Sequence, residues 1–143
     1  MTQDIYPCLW FPNKSAKTAA EFYCSIFPDA KIISENAIVV NWMIGTRIFM
    51  GLNDAIPEAK FTEACSFVIT CKDQAEIDHY WSKLTSDGGK ESMCGWCTDK
   101  FGISWQVVPA VLGELMSDPK RAQGVVQAFL KMKKFDIEKL LKA

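Results

Sequence analysis

One histidine, His79, is all that this chain of 143 residues carries. Imidazole is the commonest metal ligand and the usual proton carrier near neutral pH, so a centre built from several histidines is excluded at the outset. Net charge is equally scarce: 16 Lys and Arg against 17 Asp and Glu leave −1, with a pI near 5.8. That offers no electrostatic footprint for nucleic acid. No apolar run approaches the roughly 18 residues a membrane span needs, so no membrane is expected among the partners. The opening MTQDIYPCLW has no basic stretch leading into an apolar one. No secretory signal is expected, and the chain is expected to be cytoplasmic. In that compartment Cys8, Cys24, Cys65, Cys71, Cys94 and Cys97 are expected as reduced residues rather than a disulfide framework.

What the chain does have is apolar mass. A hydrophobic fraction of 49%, with 5 Trp and 9 Phe, is enough to offset chain entropy in a packed globule. Residues 5–11 read as a buried strand, and Ser15 as the cap of a helix over 16–27 whose Ala16, Ala19, Ala20, Tyr23, Ile26 and Phe27 follow the helical stripe. Strands are expected over 31–37, 38–44 and 47–52, the last pair turning at Gly45-Thr46. After a linker the pattern recurs with a strand over 64–71, Asp73 as a cap with Glu76 closing a capping box, and a helical stripe of Ile77, Tyr80, Trp81 and Leu84. At an offset of 58 residues Cys8 matches Ser66, Ser15 matches Asp73, and Tyr23 matches Trp81. One domain of two modules is expected, module one over 4–53 and module two over 64–109, with a helical segment over 110–143. In that segment Asp118-Pro119 should open a helix over 119–132, and Asp136 should cap a last one over 137–143.

The densest stretch is 93–109, MCGWCTDKFGISWQVVP. Two-residue alternation places Cys8, Trp10, Ser66, Val68, Thr70, Ser104 and Gln106 on one face of their strands, with Leu9, Phe67, Ile69 and Trp105 toward the helices. A thiol, hydroxyls, an amide and indole on one face suit an uncharged or weakly polar small molecule, and Trp42 and Trp96 are further candidate walls. Cys94-Gly95-Trp96-Cys97 has the spacing of a thiol-exchange centre, although a turn and a strand follow it instead of a helix. His79 stands alone beside an apolar stripe, without a motif partner. No Gly-rich strand-to-helix turn followed by an acidic residue offers a nucleotide cradle, and no cofactor is expected.

Two strand-helix-strand-strand-strand units, with FY in the first helix and DKFGISWQ before the last strand, resemble the vicinal-oxygen-chelate superfamily of glyoxalase I, fosfomycin-resistance proteins and extradiol dioxygenases. CGW and DKFGISWQVVP, the FY-x3-F helix and the KMKKFDIEKL tail look like its PhnB-like branch, which carries the label 3-demethylubiquinone-9 3-methyltransferase. The resemblance implies an α+β fold of tandem βαβββ modules, a curved mixed sheet around a cavity, and a homodimer. The superfamily's metal ligands fall here on Cys8, Ser66 and Gln106, with a further carboxylate position near Phe49. Neutral donors repay little of a divalent cation's lost hydration, so no metal is expected at that position. The leading expectation is a metal-free small-molecule binder with Cys8, Trp10, Trp42, Phe49, Ser66, Thr70, Trp96, Ser104 and Gln106 lining the site. A metal-dependent lyase, isomerase or transferase, with Cys8 or Asp99 rescuing the site, is one alternative. A thiol-redox protein using Cys94 and Cys97 is another.

Overall fold

The structure, a computed structural model, describes residues 4–143. The chain divides into two compact units, Met1–Lys60 and Phe61–Ala143. The α+β class and the tandem βαβββ order are those the sequence implies.

The first unit holds β1 (Cys8–Trp10), α1 (Ala16–Ile26), β2 (Ala30–Glu35), β3 (Val39–Ile44) and β4 (Arg47–Leu52), with sheet order β1-β4-β3-β2. β1 runs parallel to β4 and the other pairs are antiparallel. Small residues Ala16, Ala19 and Ala20 on the buried stripe of α1 let the helix approach the sheet closely. The space beyond them is filled by Tyr23, Trp42 and Phe49, with Trp42 stacked on Tyr23 at 5.8 Å and on Phe49 at 5.7 Å. Burying side chains of this size contributes about 2–3 kcal/mol each.

Two strands are shorter than the sequence suggests. Pro7 has no N–H to give a ladder, so the expected strand over 5–11 shrinks to Cys8–Trp10 and Ile5 is left 94% exposed. The Asn36 side chain accepts hydrogen bonds from the Ile38 and Val39 N–H groups at 2.8 and 2.9 Å, turning the chain over residues that were expected to end one strand at 37 and begin the next at 38. Ser15 is not the side-chain cap of α1; its hydroxyl donates to the Pro12 carbonyl at 2.6 Å. The cap comes from the far end of the module, where Asn53 Oδ1 accepts from the Ala16 N–H at 3.0 Å.

The second unit holds β5 (Ser66–Cys71), α2 (Gln74–Leu84), β6 (Lys90–Glu91), β7 (Trp96–Thr98), β8 (Ser104–Pro109), α3 (Val111–Ser117), α4 (Ala122–Phe129) and α5 (Ile137–Leu141). The sheet order is β5-β8-β7-β6, again with one parallel pair, β5 with β8. α1 and α2 begin and end 58 residues apart, as the internal repeat requires. Asp73 caps α2 through the Glu76 N–H at 2.9 Å, and Glu76 reaches back to the Lys72 N–H, one residue before the cap.

The helix expected over 119–132 is shorter at both ends. Asp118 closes α3 instead of capping α4: its carboxylate takes the Lys120 N–H, its carbonyl takes those of Arg121 and Ala122, and α4 starts at Ala122. Asp136 does cap α5, through the Lys139 N–H at 3.1 Å. Among the apolar residues of α4, Val125 is fully buried and Phe129 packs edge-on against Phe135, so both serve their own unit.

Candidate functional site

Ladder register decides which side chains share a face. In the second unit Ser66 lies opposite Ser104 and Val68 opposite Gln106, while β7 places Trp96 opposite Gln106 and Thr98 opposite Ser104. Residues directly opposite point the same way. Ser66, Val68, Thr70, Trp96, Thr98, Ser104 and Gln106 therefore form one face, and the buried Cys71, Cys97, Trp105 and Val107 form the other, beneath α2. On the polar face Gln106 Nε2 donates to Ser66 Oγ at 3.0 Å. Ser104 is only 5% exposed, and no hydrogen bond to its hydroxyl forms among the described residues.

At the β7 end of this face lies a hollow of about 370 Å³, lined by Glu63, Ser92, Met93, Trp96, Thr98 and Ser104 together with Cys94 and Cys97. Residues that line it are held in place by the DKFG turn, which follows Thr98, and by the C-terminal segment, which bonds Cys94. The Asp99 carboxylate, 2% exposed, accepts from the Phe101 and Ile103 N–H groups through Oδ1 and from the Trp105 indole through Oδ2 at 2.9 Å. Asp99 thus fastens the turn beneath β8, and the suggestion that it could rescue a metal site is corrected: both of its oxygens are engaged. On the other side, Cys94 and Gly95 donate their N–H groups to the Met132 and Lys133 carbonyls at 2.8 and 2.7 Å. Both residues have positive φ, +57° and +79°, and a Cβ on Gly95 would stand 2.4 Å from the Phe135 ring. Only glycine allows the tail to come this close.

The same packing counts against thiol exchange. Cys97 is buried, and burial first, then the Asp99 and Glu91 charges, pushes its thiol up to about 12. Cys94 Sγ donates to the Phe129 carbonyl at 3.6 Å. A redox pair needs an accessible, stabilised thiolate, and Cys97 does not offer one.

In the first unit Cys8 lies opposite Met50 and Trp10 opposite Leu52, which places Met50, not Phe49, on the face of Cys8. Phe49 and Trp42 are corrected accordingly. They sit one residue out of phase, on the helix side, where they are stacked and buried. Trp10 stays on the other face, its indole donating to the Asn53 carbonyl at 3.3 Å. Asn41, opposite Met50, was missed; its Nδ2 donates to Ser34 Oγ and its Oδ1 is buried without a partner. Thr98 and Glu63 were missed as well. Thr98 follows from Trp96 by alternation, whereas Glu63 lies in a linker that carries no periodic signal.

The donors at the three superfamily metal positions are a thiol, a hydroxyl and an amide, and Ser66 and Gln106 already bond each other. That set does not fit a hard divalent ion. Among the described residues no three His, Cys, Asp or Glu side chains gather as metal ligands, and no helix is long and apolar enough to cross a membrane. His79 is exposed on α2 with its ring edge-on to Tyr80 at 5.0 Å. A second cleft, of about 650 Å³ between the start of α2 and α5, is lined by charged residues that are engaged in ion pairs or helix capping. Lys134 lies 2.6 Å from Asp78 and holds that carboxyl below its usual range, and the Lys139 N–H does the same to Asp136.

The family model for 3-demethylubiquinone-9 3-methyltransferase matches residues 3–108. A Bacillus cereus PhnB protein carrying the same family name is similar in structure, with a TM-score of 0.68 and 30% identity over 76% of this chain and 100% of that one. The Pseudomonas aeruginosa protein PA1353 matches with a TM-score of 0.63 and 20% identity over 76% of this chain and 98% of its own. The fosfomycin resistance protein FosX of Listeria monocytogenes shares the fold at 14% identity, with a TM-score of 0.58 over 80% of this chain and 98% of that one. No curated protein matches.

Proposed function

The chain belongs to the 3-demethylubiquinone-9 3-methyltransferase family, in the PhnB-like branch of the glyoxalase superfamily, and from that footing we propose that it binds a small molecule on the polar face of its second module without the superfamily's metal. The observation that carries this reading is Ser104. The residue is 5% exposed, and what it shows is turned to the hollow, where its hydroxyl bonds no other side chain or backbone group among the described residues. The hydroxyl is not among the fully buried unpaired polar atoms of the described residues, which are Asn41 Oδ1 and Trp42 Nε1, so it remains open to a hydrogen bond from a ligand or water in the hollow. Gln106, Ser66, Thr98 and Trp96 supply further uncharged contacts around it.

FosX of Listeria monocytogenes has been solved with Mn(II) and a dihydroxypropylphosphonic acid. Here the donors at the positions the superfamily resemblance assigns are a thiol, a hydroxyl and an amide, so any reaction on this face is assigned to no metal. Methyl transfer, which the family name carries, is not assigned either, because the sequence has no Gly-rich nucleotide cradle. We also place the protein in the cytoplasm as a homodimer; Trp10 at 36% exposure and Val68 at 59% leave apolar surface on each sheet that a second copy would cover.

Native mass spectrometry with elemental analysis of protein purified without chelator tests the reading. An organic adduct that is lost in Gln106→Leu, with no stoichiometric zinc, nickel or manganese, is the expected result. A stoichiometric metal lost on mutating Cys8 or Gln106 would overturn it in favour of a metal-dependent lyase, isomerase or transferase. A monomeric mass by light scattering would remove the dimer.

A further inference from the structure

Resting on the small-molecule reading above, we infer that the hollow over β7 takes a small organic cation, an alkylammonium group held by Glu63, faced by Trp96 and hydrogen-bonded by Ser104. Among the residues lining this hollow the only formal charge is the carboxylate of Glu63, and no lysine or arginine is present. An anion would meet one like charge and no counter-ion; a cation meets an opposite charge. Trp96 is half-buried, and its indole lines the same hollow; tryptophan is the best aromatic partner for an ammonium head. The Ser104 hydroxyl lines the hollow, and a hydroxyl accepts an N–H there as readily as it would donate. Met93 and the Trp96 ring provide apolar contact for a short alkyl chain. At about 370 Å³ the space lies near the lower end of small-ligand pockets, which suits a compact amine rather than an extended cofactor.

The experiment is an NMR titration of the full chain with n-butylammonium chloride, and with sodium butyrate and 1-butanol at matched ionic strength. The Trp96 indole N–H signal, assigned from Trp96→Phe, is the reporter. Butylammonium is expected to shift it saturably together with the Thr98 and Ser104 amides. Glu63→Gln is expected to weaken binding about three- to tenfold, and Ser104→Ala about two- to fivefold. Glu63→Gln without effect on affinity would overturn the inference. So would butyrate or butanol moving the same signals as strongly, a result that removes the cation but keeps a small-molecule site. Silence from all three probes overturns the cation while leaving the broader reading to the native mass spectrum.

Discussion

The two modules share an element order and a helix offset of 58 residues, yet they spend their large side chains differently. In module one the large buried aromatics sit between helix and sheet, Tyr23, Trp42 and Phe49 stacked together, and the opposite face carries Cys8, Met50 and Leu52 with a single amide, Asn41, and the Trp10 indole at its edge. In module two one indole, Trp105, is anchored on the helix side by Asp99, while Trp96 and a set of hydroxyls and an amide occupy the other face. A duplicated fold can thus assign packing to one half and presentation to the other through the parity of a few strand positions.

The largest expected effect lies in module one. Trp42→Ala should cost about 3–5 kcal/mol in urea unfolding. Trp42→Phe should cost far less, because the indole N–H it removes is buried without a partner. A small loss in Trp42→Ala would show that module one's aromatic stack is not its core. In module two Gly95→Ala should cost about 3 kcal/mol, since the added Cβ meets the Phe135 ring in a left-handed conformation. Hydrogen exchange should rise over 129–135 as the tail detaches; unchanged exchange there would remove the tail's role in shaping the hollow.

Alkaline titration separates the modules next. Burial pushes both Cys71 and Cys97 up to about 12, while an unfolded thiol ionises near 8.5. Above that lower value the unfolded chain sheds protons that the folded chain keeps. Stability is therefore intact below about pH 8.5 and falls as pH rises toward 12, by up to ~1.4 kcal/mol per pH unit for each thiol. Cys97→Ala should flatten that slope, as read from urea midpoints between pH 8 and 10. A slope unaltered by the substitution would show the thiol to be more accessible than its 1% exposure implies. The smallest contrast is at the helix caps. Asp73→Ala should cost about 1 kcal/mol and Ser15→Ala under about 0.5, with Asn53→Ala costing the larger share in module one. Equal costs for Ser15 and Asp73 would restore Ser15 as a cap.

Where helical periodicity or strand alternation repeated over many residues, the sequence was readable. α1 and α2 are the instances, and Ser66, Thr70, Trp96, Ser104 and Gln106 fall on one face because the period of a strand is two. Single-residue decisions were not readable. Phe49 was placed only by the resemblance, and a difference of one position puts it on the opposite face from Cys8 and Met50. Asn53 caps a helix that begins 37 residues earlier in the chain, a long-range bond with no local signature. Glu63 belongs to the hollow only because the linker passes it, and Asp99 reads as a turn residue until its carboxylate is seen gripping Trp105.

A crystal structure of the protein as purified would be the most direct test. The account predicts density for an organic molecule in contact with Ser104 on the polar face of β7 and β8, and none on the helix side of Trp42. A cation bonded to Cys8, Ser66 and Gln106 would contradict it.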